Sequence, residues 1–531
     1  MLSNWNTWSS IVALIALMII APVVAIFYSA FLGDTSLWPH LFSTVLPRYT
    51  YNTIVLMFGV GCLSLVFGVT TAWIVTRYNF PFKLILEWAL LLPAAVPAYI
   101  IAYTYTDIFE YAGPVQGMLR DLFGWKTSQD YWFPEVRSMG GAILVMSSVL
   151  YPYIYLLTRA SFLTVPVSFY QTSSIYGRNT FYYVALPLAR PGIIAGLALV
   201  LMETISDFGT VDYFALETLT LGVFNVWMGM NSLSGASQIS SVLFIFIVVL
   251  LTVEYLARRR QRFHEKSSGQ DTVQSEEISN FKKIVCLIPI LLGFIIPTFV
   301  LLNFVLSGFS IINFTEILEI AFSSIAIAAV SALVVMIISL LMIVVANYKS
   351  NSIQRILIFL ASCGYAFPGT ILAVGIVVFV GWLNDLIYFH LSYFVGGFII
   401  LIFAYTTRFL AVGNGAINSG ILRIHPNLFD ASRIMGISFF QSIRKVILPL
   451  VYANLLAGGI LVFVDILKEL PITLLLRPFN FETLATYVYQ YASDELLEES
   501  SFAALIIIIV GLGPVIFLSN TIKNITNKKQ S

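Results

Sequence analysis

Asp430-Ala431-Ser432-Arg433-Ile434-Met435-Gly436-Ile437-Ser438-Phe439-Phe440-Gln441-Ser442-Ile443-Arg444-Lys445-Val446-Ile447-Leu448-Pro449 separates two apolar runs, near 394–412 and 451–470. The stretch opens on an acidic, helix-favouring tripeptide. Three residues later stands Gly436, able to take a positive φ, and nine further on Val446-Ile447-Leu448-Pro449 enters a new helix through proline. Together these signals predict a helix–turn–helix lying at a membrane surface, because the runs on either side are long enough to cross a bilayer. A spanning helix needs about 20 predominantly apolar residues, and only helices or closed barrels satisfy their own backbone in hydrocarbon.

Ten more runs of that kind occur, near 11–31, 53–75, 86–106, 140–158, 191–210, 240–257, 284–306, 321–346, 355–380 and 501–520. The expected fold is therefore an all-α polytopic membrane protein with about twelve transmembrane helices. Composition agrees: 59% of the 531 residues are hydrophobic and 10% are charged, against roughly 25% charged in soluble proteins. The first run lacks a basic leader and a small-residue cleavage site, so it reads as a helix rather than a signal peptide. A net charge of +1 offers nothing to nucleic acid. Cys62, Cys286 and Cys363 sit in apolar runs as small hydrophobes, and the four histidines show no metal-ligand spacing. No Gly-Lys pair exists to build a phosphate-binding loop, so the chain is not expected to be an enzyme.

Lys and Arg accumulate in cytoplasmic loops. With the N-terminus inside, 22 of the 28 fall on inner loops, Arg159, Arg178, Arg408, Arg444 and Lys445 among them. The outer side keeps six, Arg48, Arg120, Lys126, Arg137, Lys468 and Arg477, together with eighteen acidic residues that include Asp207 and Glu469. The expected setting is a plasma (inner) membrane crossed many times, with both termini cytoplasmic.

The chain is also a duplication. An offset of 271 lays Asn52-Thr53-Ile54 on Ser323-Ser324-Ile325 and Pro97 on Pro368; an offset of 262 lays Leu186-Pro187-Leu188 on Leu448-Pro449-Leu450 and Glu203 and Asp207 on Asp465 and Glu469. The nine residues between the two offsets are expected in the outer loop 107–139. Six intervening helices make this a parallel repeat. The expected organisation is a first helix and outer loop (1–50), a first transmembrane domain (51–257), a polar cytoplasmic linker (258–283), a seventh helix with its loop (284–320), a second domain (321–520) and a tail (521–531).

Each half carries one long inner loop, 159–190 and 413–450. The second, with Asp430-Ala431-Ser432, three residues, Gly436, nine residues and Val446-Ile447-Leu448-Pro449, resembles the EAA loop of bacterial ABC importer permeases. Asp465 to Ala485 (Asp-Ile-Leu-Lys-Glu-Leu-Pro-Ile-Thr-Leu-Leu-Leu-Arg-Pro-Phe-Asn-Phe-Glu-Thr-Leu-Ala) and Leu186-Pro187-Leu188-Ala189-Arg190-Pro191 look like segments of the fused twelve-helix ferric-iron permeases. That resemblance extends over about residues 50–520, and thiamine and phosphonate permeases look similar. It implies the type I permease fold and a coupling helix in each loop that docks on a cytoplasmic ATPase dimer. It also implies an extracytoplasmic solute-binding protein, with ATP and Mg held by the ATPase and no cofactor in this chain. Asp430, Ala431, Ser432 and Gly436 would couple in the second loop. In the first, Gln171, Thr172, Ser173 and Gly177 correspond, but only six residues follow Gly177 before Val184-Ala185-Leu186-Pro187 and no carboxylate is present. Two unequal docking contacts are the expectation. A secondary transporter of major facilitator type would also have two related six-helix halves, but it supplies no reason for the loop spacing.

Ionisable residues within a membrane are costly and mark function. Glu203 and Asp207, and Asp465 and Glu469, are each spaced by four, which would set each pair on one helix face. The four are expected to line a shared path near its outer end, with Lys468 neutralising one of them and no tight metal cage, since permeation requires weak sites. The tyrosines of 99–111 and 487–491 read as interfacial aromatic belts, and Gly192-x-x-x-Gly196 as close helix packing.

Overall fold

The computed structural model describes residues 7–259, 280–348, 352–387, 397–422, 424, 428 and 434–528. Among them, nine helices are long and apolar enough to span a membrane: Thr7–Leu32, Trp38–Arg77, Met139–Thr164, Phe181–Ser206, Leu233–Val253, Asn280–Ser307, Phe314–Asn347, Phe398–Ile421 and Phe439–Leu467. The final helix, Leu497–Lys528, corresponds to the expected run at 501–520.

The two other expected spans, 86–106 and 355–380, are not single helices. Lys83–Ala95 and Ala98–Phe123 meet at a bend of 91°, and in the second half Ser352–Ala366 gives way to Gly369–Ile387. Proline causes both breaks. A residue before proline is driven out of the helical region, and Val96 (ψ 123°) and Phe367 (ψ 132°) are extended just ahead of Pro97 and Pro368. Proline shapes the long helices as well. Before Leu186-Pro187 and Leu448-Pro449 the chain widens into π-helical turns, Phe181–Ala185 and Ile443–Ile447, because the ring displaces the carbonyl four residues back.

The duplication extends to single hydrogen bonds. Leu219 N donates to Thr53 Oγ1 at 3.0 Å, and Leu484 N donates to Ser324 Oγ at 2.8 Å. Asn52 Nδ2 donates to the Glu217 carbonyl at 3.0 Å where Ser323 Oγ donates to that of Glu482 at 3.3 Å. Positive φ recurs at Gly177 and Gly436, Ala215 and Asn480, and Asn231 and Glu495. The helices that begin at Met139 and Phe398 fix an offset of 259 in the middle of each half, which the same two glycines share. The nine-residue difference expected in the outer loop is therefore twelve residues gained there and three lost after Gly177.

The halves exchange their flanking helices. Val12, Ala16, Ile19 and Ile26 of Thr7–Leu32 share a core with Leu372, Val374 and Ile376 of the second half. Ile290 and Leu301 of Asn280–Ser307 share another with Tyr103, Tyr151 and Ile154 of the first. Gly192 and Gly196 do mark close packing: a Cβ on Gly196 would lie 2.7 Å from Ile154 Cα.

Candidate functional site

Each half sends a helix from the loop that carries Gly177 or Gly436 toward a common cavity. Leu186–Ser206 follows Gly177, Leu448–Leu467 follows Gly436, and at 1.5 Å per residue about 25 Å separates Leu186 from Glu203. The cavity, of about 200 Å³, is lined by Glu203, Asp207, Asp465, Glu469 and Lys468, and also by Arg408, Tyr365, Tyr153 and Tyr99. All five charged residues picked out in the path thus meet at one place between the halves.

The spacing of four is realised differently from the expectation. Asp207 and Glu469 lie past the ends of their helices, which stop at Ser206 and Leu467. Each caps the short helix that follows. Asp207 Oδ1 accepts from Thr210 N at 2.9 Å and Val211 N at 3.3 Å ahead of Gly209–Tyr213, and Glu469 Oε1 accepts from Ile472 N at 3.2 Å in Pro471–Leu476. A carboxylate is suited to that position by the orphan N–H groups and positive end of a helix start. Glu203 and Asp465 remain within their helices.

Arg408, counted with the inner side by sequence, lines this cavity as well. Arg408 counts with the inner loop by sequence because it stands only four residues before 412, the expected end of its run; the helix continues to Ile421. The inner loop is correspondingly shorter than 413–450. A buried charge needs a partner, and Arg408 Nε stands 3.3 Å from Glu469 Oε2, with both side chains at most 10% exposed. Lys468 Nζ donates to the Ala94 carbonyl of the other half at 3.0 Å, and Tyr365 Oη donates across the halves to Glu203 Oε1 at 3.0 Å.

Sequence reasoning missed Arg408, Tyr365, Tyr153 and Tyr99. The signal for Arg408 was a charge inside Phe403 to Leu410, otherwise free of charge. The aromatic-belt expectation fails for Tyr99, Tyr103, Tyr105 and Tyr487, which are buried in the core rather than set at an interface. No group of three or more His, Cys, Asp or Glu among the described residues is placed to hold a metal ion.

At the opposite ends of these helices lie the two loops. In the first, Val167–Ile175 forms the expected helix and carries Gln171, Thr172 and Ser173. Thr172 Oγ1 donates to the Ser168 carbonyl at 2.8 Å, and Arg178 N closes onto the Ser173 carbonyl at 3.0 Å around Gly177, whose φ is +63°. Gln171, Ile175 and Tyr176 are exposed. In the second, Asp430, Ala431 and Ser432 lie outside the described residues. Gly436 has φ +69°, and Ser438 with Gln441 forms a capping box that starts the next helix.

The family model described as the binding-protein-dependent transport system inner membrane component matches residues 64–262 and 339–530, one stretch in each half. The chain belongs to this family. The protein is thus the membrane-embedded permease subunit of a binding-protein-dependent transporter rather than an enzyme, and the major facilitator alternative falls. The permease is similar over 499 residues, at 24% identity, to the Fe(3+)-transport system permease protein FbpB 2 of Haemophilus influenzae, with 90% of each chain covered. It is 22% identical over 544 residues to the ferric transport system permease protein FbpB of Actinobacillus pleuropneumoniae, covering 96% of this chain and 77% of that one. The molybdenum transport system permease protein ModB of Escherichia coli is 26% identical over 205 residues, which is 37% of this chain and 86% of the relative.

Proposed function

We propose that the permease imports ferric iron, passing it between its halves by way of the cavity bounded by Glu203, Asp207, Asp465 and Glu469. The observation that carries the reading is this convergence of four carboxylates, two from each half, against two basic groups. Hard cations prefer oxygen, and an excess of negative charge lowers the barrier to a cation entering. Two relatives that match over 90% and 96% of the chain are named for Fe(3+) and ferric transport.

The driving force comes from a cytoplasmic ATPase dimer, with ATP and Mg bound there and no cofactor in this chain. One ATPase subunit docks on Gln171 to Gly177 and the other on Asp430 to Gly436; an extracytoplasmic solute-binding protein delivers cargo at the opposite face, and both termini are cytoplasmic. Closure of the ATPase draws the two loops together and rocks the halves, shifting the population between inward-open and outward-open states. Thiamine, also a cation, is the second reading; the carboxylate excess weighs against phosphonate.

The test is uptake into proteoliposomes carrying the permease, its ATPase and its binding protein. Ferric uptake should require ATP, and excess thiamine should leave it unchanged. Ferric uptake in the absence of the ATPase would refute the reading, and competition by thiamine would transfer it to that cation.

A further inference from the structure

The cavity is charged unevenly. Each half contributes two carboxylates, but both basic groups, Arg408 and Lys468, come from the second half. At the offsets of the repeat the first half has Val149 and Ser206 in their places, and both of those also line the cavity. Arg408 is committed to Glu469. Among the described residues, Lys468 Nζ is tethered to a neutral acceptor, the Ala94 carbonyl, and to no carboxylate, while lying within electrostatic reach of Asp465 and Glu203. Room for its stem is reserved by Gly511, where a Cβ would fall 3.0 Å from Lys468 Cε and 2.6 Å from the Ala95 carbonyl. Among the described residues, the Tyr99 hydroxyl and the Arg408 Nε and Nη1 atoms at this cavity are buried without a hydrogen-bond partner.

We propose that Lys468 is a resident counter-cation that stands in the cavity in place of cargo and keeps the carboxylates from trapping it. The inference rests on the cavity being the cargo route. Four carboxylates without Lys468 would face a trivalent ion with only Arg408 opposing them, and Coulomb attraction in a half-dry site grows steeply as opposing charge is removed. A transporter needs a site that binds weakly enough to release. With Lys468 present, an arriving cation must push the ammonium away from Asp465 and Glu203, and the returning ammonium helps expel it. The tether to Ala94 crosses the halves, so the lysine loses its acceptor when they separate and is then free to move.

The test uses the permease with its ATPase in lipid nanodiscs and terbium(III) as a hard trivalent probe, read by tyrosine-sensitised emission and by metal retained per chain after gel filtration. Lys468→Gln should retain the ion about 100-fold more tightly than the parent and should slow ATP-driven ferric uptake. Lys468→Arg should behave as the parent, and Lys468→Gln with Asp465→Asn should lose the extra retention. Retention by Lys468→Gln equal to that of the parent overturns the proposal. If that occurs while Glu203→Gln and Asp465→Asn each impair uptake, the cargo route survives and only the counter-cation role fails; normal uptake in both would sink the route itself. Where Lys468→Gln alone does not accumulate in the membrane, accumulation of the Lys468→Gln/Asp465→Asn pair supports the neutralising role, and failure of both variants overturns it.

Discussion

Tyr365 Oη and Glu203 Oε1 lie 3.0 Å apart, joining the broken helix of the second half to the cavity-lining helix of the first. A hydrogen bond to a charged acceptor is worth about 1.5–3 kcal/mol, so this contact biases the halves toward the joined arrangement. Tyr365→Phe should shift the population toward separated halves by about 10-fold or more. Distances between spin labels on the outer ends of the two halves read this directly, and an unchanged distribution would show that the bond does not bias the equilibrium.

Arg408 and Glu469 form a buried pair, and removing one member leaves an uncompensated charge at a cost of about 3–5 kcal/mol. Arg408→Met should therefore sharply lower the thermal stability of the permease in nanodiscs, and Arg408→Met with Glu469→Gln should recover much of it. A double variant no more stable than Arg408→Met would show that Arg408 acts through packing.

Gly436, at φ +69°, occupies a conformation that a residue with a Cβ adopts at a cost of about 1–2 kcal/mol. Gly436→Val should leave the permease in the membrane but uncouple ATP hydrolysis from uptake, whereas Gly436→Asn, which tolerates this conformation, should keep most of the coupling. Normal ATP-driven uptake by Gly436→Val would count against the coupling role.

Thr53 and Ser324 accept equivalent hydrogen bonds from Leu219 N and Leu484 N in separate halves. Thr53→Ala and Ser324→Ala should each destabilise by about 1 kcal/mol, as loss of a single helix-start acceptor does, and their effects should add. Strong non-additivity in thermal unfolding would mean that the two sites are coupled.

Much of the fold was legible because its signals are local. Apolar run length marked the nine helices among the described residues that are long and apolar enough to cross a membrane, and Leu186-Pro187-Leu188 against Leu448-Pro449-Leu450 marked the repeat. The breaks at Pro97 and Pro368 were visible as recurring prolines but not as breaks, since the runs around them stay apolar. The four carboxylates and Lys468 were legible as charges placed at a cost in hydrocarbon. Arg408 was not, because its partner Glu469 is 61 residues away and only the folded chain brings them together. The burial of Tyr99 and Tyr103 was hidden for a related reason: composition marks an aromatic segment as amphipathic, while the exchange of flanking helices between the halves decides that it is enclosed.

The central claim is that cargo passes the carboxylates at the junction of the halves under the control of the ATPase. Its most direct test is ATP-dependent ferric uptake by Glu203→Gln combined with Asp465→Asn, in proteoliposomes with ATPase and binding protein supplied. Uptake should fall by about 10-fold or more, as expected when a pathway loses paired charge, while ATP hydrolysis persists. Uptake at the parent rate would contradict the claim.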